Sequence, residues 1–280
     1  MGSMHQLVSG GAIADDLGLF MIHLKHTRKV INVFGQRSIT YLPCSDGALL
    51  NLAGWQVFVA RVSSSGTVAW AINVGGSSSD DVEGIASDGA NGAVVCGSFK
   101  STATFGSFSR SSGGMSDLFV MRVDSTGTVQ WVTSAGSSGN DACFGMDSDG
   151  GGGALVAGWF AYTVTFGANT LTSDGHADAF AMRVDSSGAI VWTVNGGGSS
   201  ADCAFGIASD GAGGAIFSGW FQNTGVFGSS SLTNAGSKDV FVAHVSASGA
   251  TASIDWALRA GGSSNDGSDG VYAAADGDGG

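Results

Sequence analysis

The chain repeats one pattern of residues about every sixty positions, and this period limits its fold more than any other feature. Aromatic residues mark the repeat at a constant interval of 61 residues, namely Phe58, Phe119, Phe180 and Phe241, and also Trp70, Trp131 and Trp192. Trp256 follows after 64 residues because three residues are inserted around positions 251–253. A fixed period indicates one supersecondary unit stacked on copies of itself.

Each copy of the repeat has the pattern of four short antiparallel strands. In residues 118–123, apolar Phe119 and Met121 alternate with Val120 and Arg122, which is the two-residue period of a strand. The same copy predicts further strands at 128–133, 142–147 and 154–160, and a polar connection at 163–167 that leads to the next copy. Glycines at 150–153 suit a hairpin turn. No segment has a helical period, so the sequence predicts an all-β fold.

Four-stranded antiparallel units that repeat radially are the blades of a β-propeller. A linear β-solenoid is the main alternative, but its coils are usually shorter and parallel. The sequence therefore predicts one β-propeller domain over residues 1–280, with complete blades near 82–135, 143–196 and 204–260. Within it we expect degenerate or shortened blades at 1–55, regular repeats at 56–268 and the first strand of a closing blade at 269–280.

The two ends of the chain suggest how the propeller closes. Residues 270–280 read as a first strand with its hairpin turn, and residues 5–34 offer the other strands of that blade. In this interpretation residues 19–24 have the third-strand pattern, because Phe20 and His23 are spaced like Phe58 and Arg61. Closure predicts five blades, with 270–276 paired to 6–12. The alternative is that the chain is a piece of a larger propeller.

The repeat resembles the bacterial β-propeller family known as SBBP repeats. The resemblance rests on four motifs: D-x-F-V-x-R-V at 117–123, the following Trp131, the GGSSxD loop at 75–80, and G-I-A-x-D-G-x-x-G at 84–92. It covers residues 56–276. It implies a propeller at the cell surface or outside the cell, and it implies no particular activity.

Composition and charge narrow the set of partners. The chain of 280 residues carries 23 acidic and 11 basic side chains, a net charge of −12 that repels phosphate, so nucleic acid is not an expected partner. No apolar run is long enough for a membrane span, and the N-terminus has no pattern typical of a signal peptide. The four cysteines form no CxxC and no repeated pair, as expected of small core residues.

One column of cations recurs at 61-residue intervals: Arg61, Arg122, Arg183 and His244. It could form a ring that binds anions, or it could pair with one of two recurring sets of aspartates, Asp117, Asp178 and Asp239 or Asp80, Asp141, Asp202 and Asp266. Groups that recur in every repeat more often belong to the scaffold, and arginine–carboxylate pairs commonly satisfy partly buried polar groups. We therefore expect a structural column.

Two Asp-rich turns are candidate calcium sites. Asp147 and Asp149, like Asp276 and Asp278, place two carboxylates two residues apart beside glycine, a spacing that hard cations can use. However, Asp-Gly is also an ordinary hairpin dipeptide, and no EF-type loop with a terminal glutamate is present. The expectation is that the protein has no cofactor, with Ca²⁺ at these turns as the minor alternative.

Aromatic pairs end two equivalent strands. Trp159-Phe160 and Trp220-Phe221 stand where an earlier copy has Ser98-Phe99. These side chains either pack between blades, as aromatic residues usually do, or form a sugar-stacking platform at one rim. They are the candidate ligand-binding residues.

No catalytic constellation is visible in the sequence. The five histidines fall at unrelated positions of the repeat, and no G-x-S-x-G motif is present. The expected function is therefore a non-catalytic scaffold for protein or ligand interaction, acting at the cell surface or in a secreted form. The alternative is a propeller that binds or cleaves carbohydrate, with its site at the rim or in the central channel. The expected partner is a protein or a glycan.

Overall fold

A computed structural model describes residues 17–24, 56–63 and 67–267. In these residues the chain is all-β, and no helix is long and apolar enough to cross a membrane. The strands are β1 (Leu17–Leu24), β2 (Gln56–Ser63), β3 (Val68–Gly76), β4 (Asp81–Ser87), β5 (Ala93–Phe99), β6 (Thr102–Phe105), β7 (Phe108–Ser111), β8 (Asp117–Val123), β9 (Val129–Ala135), β10 (Asp141–Ser148), β11 (Ala154–Phe160), β12 (Thr163–Phe166), β13 (Asn169–Thr172), β14 (Asp178–Val184), β15 (Ile190–Gly198), β16 (Cys203–Ser209), β17 (Ala215–Phe221), β18 (Thr224–Phe227), β19 (Ser230–Thr233), β20 (Asp239–Ser248) and β21 (Thr251–Ala260).

The repeat folds into successive antiparallel sheets. We call β1-β2-β3 the first sheet, β4-β5-β8-β9 the second, β10-β11-β14-β15 the third and β16-β17-β20-β21 the fourth. In each of the last three sheets every strand is antiparallel to its neighbour. The four antiparallel strands predicted for each repeat are confirmed there, because alternating apolar residues and glycine turns specify both strands and hairpins. Each repeat also contains two short strands that were not predicted.

The segment expected to be a polar connection is instead a small hairpin. β12 pairs with β13, and its Phe166 is fully buried. The equivalent hairpins reach back to the preceding sheet: β6 pairs with β3 through Gly75 and Gly76, and β18 pairs with β15 through 196–198. The sequence of these segments is typical of a loop, because each strand is only four residues long and exposes every second residue.

Consecutive sheets pack face to face. In β8, Phe119 and Met121 pack toward the first sheet, whereas Val120 packs toward the third, as the alternation predicted. The same arrangement recurs, and each sheet contributes a phenylalanine cluster to the contact with its predecessor. In the third sheet the rings of Phe166 and Phe180 lie 5.2 Å apart between centroids. Burial of these large rings between sheets is a main source of stability.

The sheets also meet along their first strands, because β10 lies beside β4 on one side and β16 on the other. Ser209 N of β16 donates to Asp147 Oδ2 of β10 at 2.9 Å. The carbonyl of Phe205 lies so close to Gly145 that a side chain there would collide with it. A residue without a β-carbon therefore allows neighbouring first strands to come into contact.

The N-terminal strand differs from the sequence interpretation. β1 pairs with β2 along its whole length, from Leu17 with Ser63 to Leu24 with Gln56. It therefore takes the place beside β2 that β5 takes beside β8, which is the second-strand position and not the third strand of an earlier blade. Both positions have the same two-residue alternation, so the pattern could not separate them. The expected pairing of 270–276 with 6–12 lies outside the described residues.

Tryptophans connect the first and second sheets to the sheet that follows each of them. Trp70 Nε1 donates to the carbonyl of Ser125, and Trp131 Nε1 donates to that of Ser186, a turn 55 residues further along in both cases. The insertion at 251–253 lengthens β20 and β21 and changes the corresponding turn. In the described part of the chain Trp192 Nε1 is consequently buried without a hydrogen-bond partner.

Candidate functional site

The cation column is structural, but its partners differ from the expected ones. Each side chain of the column contacts a hairpin turn between the first two strands of a sheet. The contacts are Arg122 Nη2 with Asp88 Oδ2 at 2.9 Å, Arg183 Nη2 with Asp149 Oδ2 at 3.0 Å, His244 Nε2 with Asp210 Oδ2 at 3.3 Å, and Arg61 Nη2 with Asn91 Oδ1 at 3.2 Å. For Arg122, Arg183 and His244, the antiparallel register of the second and third strands brings the turn of the same sheet beside the side chain. Arg61 instead contacts the turn of the following sheet. No member of the column pairs with either expected set of aspartates in the described residues.

The Asp turn at 147–149 is occupied by protein groups. Asp149 Oδ1 accepts hydrogen bonds from the amides of Gly151 and Gly153, both at 2.8 Å, while Oδ2 pairs with Arg183. Asp147 accepts from the amides of Ser148 and Ser209. No group of three or more His, Cys, Asp or Glu side chains suited to a metal occurs in the described residues. Asp276 and Asp278 lie outside them.

The two aromatic strand ends point in opposite directions. Phe160 and Phe221 are fully buried, so the prediction that they stack on a ligand is corrected: strand alternation turns them into the core, where Phe160 meets Phe166 edge-on at 5.8 Å. Trp159 and Trp220 lie on the opposite face and are half-buried. The ammonium of Lys238 lies 3.2 Å from the centre of the Trp220 ring and occupies that face. Of the four candidate aromatic residues, Trp159 is therefore the one best placed to contact a ligand.

A row of side chains on the first strands was missed by the sequence analysis. Each first strand has a β-bulge at the same place, and the extra residue is Glu83 in β4, Phe144 in β10 and Phe205 in β16. All three are half-buried, and the Phe144 and Phe205 rings lie 4.9 Å apart between centroids. A bulge re-aims one side chain, and bulges are common beside functional sites. The sequence signal that could have revealed this row is the 61-residue spacing of three residues that differ in type. One of them, Glu83, is the only glutamate of the chain.

A second recurring feature is a pair of buried aspartates beside the loop that precedes each first strand. Asp202 uses Oδ2 to accept from Gly198 N at 2.8 Å and Oδ1 to accept from Gln222 N at 2.9 Å. Asp178 uses Oδ2 to accept from Asp174 N at 3.2 Å, and its Oδ1 is buried without a partner. Both side chains are almost completely buried. These aspartates therefore hold loops in place, instead of pairing with the cation column.

Burial makes these carboxyl groups weak acids. Loss of hydration raises the pKa of Asp178 to about 6 and that of Asp202 to about 7. The negative charge of Asp174 adds to the effect at Asp178, and that of Asp178 adds to the effect at Asp202. The equivalent Asp117 and Asp141 also have raised pKa values, again chiefly because of burial. Asp117 Oδ1 is buried without a partner, as Asp178 Oδ1 is.

In the fourth sheet, the aspartate equivalent to Asp178 has a positively charged partner. There the guanidinium of Arg259 forms an ion pair with Asp239 Oδ2. Arg259 lies opposite Phe241 in the sheet, just as Asn195 lies opposite Phe180 and Ser134 lies opposite Phe119. In the described residues, this position of the repeat carries a cation in one copy and a neutral oxygen-bearing side chain in three others, because Asn73 lies opposite Phe58.

No family model matches the sequence, and no curated protein is detectably similar to it.

Proposed function

We propose that the chain is a β-propeller that serves as a non-catalytic scaffold for binding a protein or another ligand, at the cell surface or outside the cell. The propeller proposal is supported by the four-stranded antiparallel sheets, by their face-to-face packing, and by the contact between neighbouring first strands. Sheets that share a line of first strands radiate from an axis, as blades do. The surface or secreted location rests on the resemblance to SBBP repeats.

The observation that carries the scaffold function is how the recurring polar groups are used. Arg122 and Arg183 are held by aspartates of hairpin turns, and Asp202 is held by loop amides. These groups are committed to the architecture. The groups that differ between repeats are the better candidates for recognition, and the bulge row of Glu83, Phe144 and Phe205 is such a set.

The bulge row suits recognition along the axis of a propeller. Two aromatic rings and one carboxylate, all half-buried on adjacent first strands, combine apolar contact area with a charge that fixes orientation. Carbohydrate binding is the second candidate, and the half-buried Trp159 favours it because an aromatic ring face is a natural platform for a sugar ring.

The shape of the molecule tests the propeller. Small-angle X-ray scattering of the purified chain should give a radius of gyration of about 19 Å, the value for a compact chain of this length. A clearly larger value with an elongated profile would favour a solenoid and reject the proposal.

Binding arrays test the function. We expect the wild-type chain to bind peptide or protein ligands. The variants Phe144→Ala and Phe205→Ala should lose this binding, and the exposed control Ala168→Arg should retain it. Glycan-array binding that is lost in Trp159→Ala would favour the carbohydrate candidate instead. Turnover of a chromogenic glycoside that Glu83→Gln abolishes would show an enzyme and refute the scaffold.

A further inference from the structure

The buried aspartate pairs lack a positive charge that one copy of the repeat supplies. In the fourth sheet, Arg259 neutralises Asp239 directly. In the third sheet the equivalent residue is Asn195, whose Nδ2 lies 3.5 Å from Asp178 Oδ2. Two nearby buried carboxylates without a counter-charge are costly, so something must neutralise them, and the neutralising group must be a proton or a bound cation.

The two carboxylates of the third sheet converge on one point. A β-carbon at Gly197 would lie 2.7 Å from Asp202 Oδ2 and 2.9 Å from Asp178 Oδ1, so the two oxygens are separated by at most the sum of these distances, about 5.6 Å. One calcium ion spans two of its oxygen ligands over as much as ~5 Å, because each Ca–O distance is 2.3–2.6 Å. The spacing therefore falls near the range of a shared ion.

The unpartnered oxygen points to a ligand. Asp178 is completely buried, and its Oδ1, which faces the convergence point, has no hydrogen-bond partner. Buried carboxylate oxygens in folded proteins nearly always have a partner, so an isolated one that recurs indicates a missing water, proton or ion. Asp117 Oδ1 in the second sheet is in the same state, and so is Asp239 Oδ1 in the fourth sheet, where Arg259 contacts only Oδ2. The second and third sheets differ from the fourth in lacking the counter-charge itself.

The donor set selects a hard cation. Every side chain in both sets offers an oxygen ligand. Each set has two carboxylates. The third-sheet set adds the side-chain oxygen of Asn195, which faces the site when its amide is flipped, and the second-sheet set adds the hydroxyl of Ser134. Oxygen-only ligand sets favour calcium over transition metals, and a site with two carboxylates is expected to be weak, with a Kd of about 10⁻⁴ to 10⁻³ M.

We propose that Asp178, Asp202 and Asn195 bind Ca²⁺, and that Asp117, Asp141 and Ser134 form a second site of the same kind. In each site the ion supplies the positive charge that Arg259 supplies in the fourth sheet, but it binds the unpartnered Oδ1 instead of the Oδ2 that Arg259 contacts. The ion joins the loop that precedes a third strand to the loop that precedes the next first strand. It therefore holds consecutive repeats together at one edge of their sheets, at the concentrations of calcium found outside cells.

Calcium binding to the full chain tests the proposal. After removal of metals with a chelator, we expect isothermal titration calorimetry at pH 7.5 to detect Ca²⁺ binding in the millimolar range or below, and Tm to rise with Ca²⁺. The double variant Ser134→Arg/Asn195→Arg places a guanidinium at both sites. It should weaken Ca²⁺ binding at least 10-fold, while the surface control Ala168→Arg, which adds charge elsewhere, leaves it unchanged.

Three results would overturn the inference. The first is an absence of calcium binding up to 10 mM. The second is binding that the arginine variants leave intact, which would place the ion elsewhere, such as the turn at 276–278. The third is carboxyl ¹³C NMR showing that each pair retains one proton at pH 7.5 with and without Ca²⁺. If the arginine double variant fails to fold, Asp141→Asn/Asp202→Asn replaces it, because it removes one carboxylate from each site, and the same loss of Ca²⁺ binding is expected.

Discussion

Removal of the Arg183 guanidinium is expected to lower the free energy of unfolding by about 2–3 kcal/mol. Arg183→Met deletes a charge-assisted hydrogen bond from Nε to Asp149 Oδ2 and the ion-pair contact of Nη2 with the same oxygen, both at 3.0 Å. The carboxylate left behind is only 3% exposed, so water cannot replace the lost donors easily. The loss falls short of the 3–5 kcal/mol of a fully buried pair because Arg183 is 29% exposed and the Asp149 Oδ1 hydrogen bonds persist.

A double-mutant cycle with Asp149→Asn isolates the interaction. Urea denaturation followed by tryptophan fluorescence should give a coupling energy of about 1–2 kcal/mol between the two positions. Lys100→Met, which removes an exposed cation, is the control and should change stability by less than about 0.5 kcal/mol. A coupling energy below about 0.5 kcal/mol, with both variants folded, would refute the argument that the cation column stabilises the scaffold.

Three further perturbations follow from the fold. Phe180→Ala, which removes a buried ring touching both Phe160 and Phe166, should cost about 3–5 kcal/mol in urea denaturation, and half-buried Phe108→Ala should cost clearly less. Gly188→Ala should cost more than Gly211→Ala: both have positive φ, but a β-carbon at Gly188 would lie 2.7 Å from Trp131 Cδ2, whereas Gly211 has open space. Burial raises the pKa of Asp80, so the folded chain binds its proton more tightly than the unfolded chain does, and this stability is lost as pH rises from the ordinary carboxyl range through the raised pKa. The unfolding free energy of wild type relative to Asp80→Asn should therefore fall across that window; a flat difference would contradict it.

The regular part of the fold could be predicted because its signals are local. Alternation such as that of Phe119 and Val120 gives the faces of a strand, and glycine turns give the hairpins, so the sheets follow from the repeat. The 163–172 hairpin and the place of β1 could not be predicted. A four-residue strand exposes half of its residues like a loop, and strand order depends on contacts distant in sequence.

The candidate site was harder to predict than the fold for a related reason. The periodic spacing showed that Arg183 has a partner, but it could not tell Asp149 from Asp178, because both recur with the same interval. Phe160 and Trp159 are adjacent in sequence, yet only one faces outward. The bulge residues carry no local signal, since a bulge is a mismatch between two strands and is invisible in either one alone.

Because the small hairpins pair with the preceding sheet, the segment that unfolds cooperatively should not coincide with the sequence repeat. β6 and β18 complete the edge of a sheet built by the preceding copy, so main-chain hydrogen bonds cross the boundary between copies. Losing one copy would therefore strip an edge from its predecessor and expose unpaired amides and carbonyls there. Neighbouring copies should open together in hydrogen exchange, as one cooperative segment whose limits are offset from the limits of the sequence repeat.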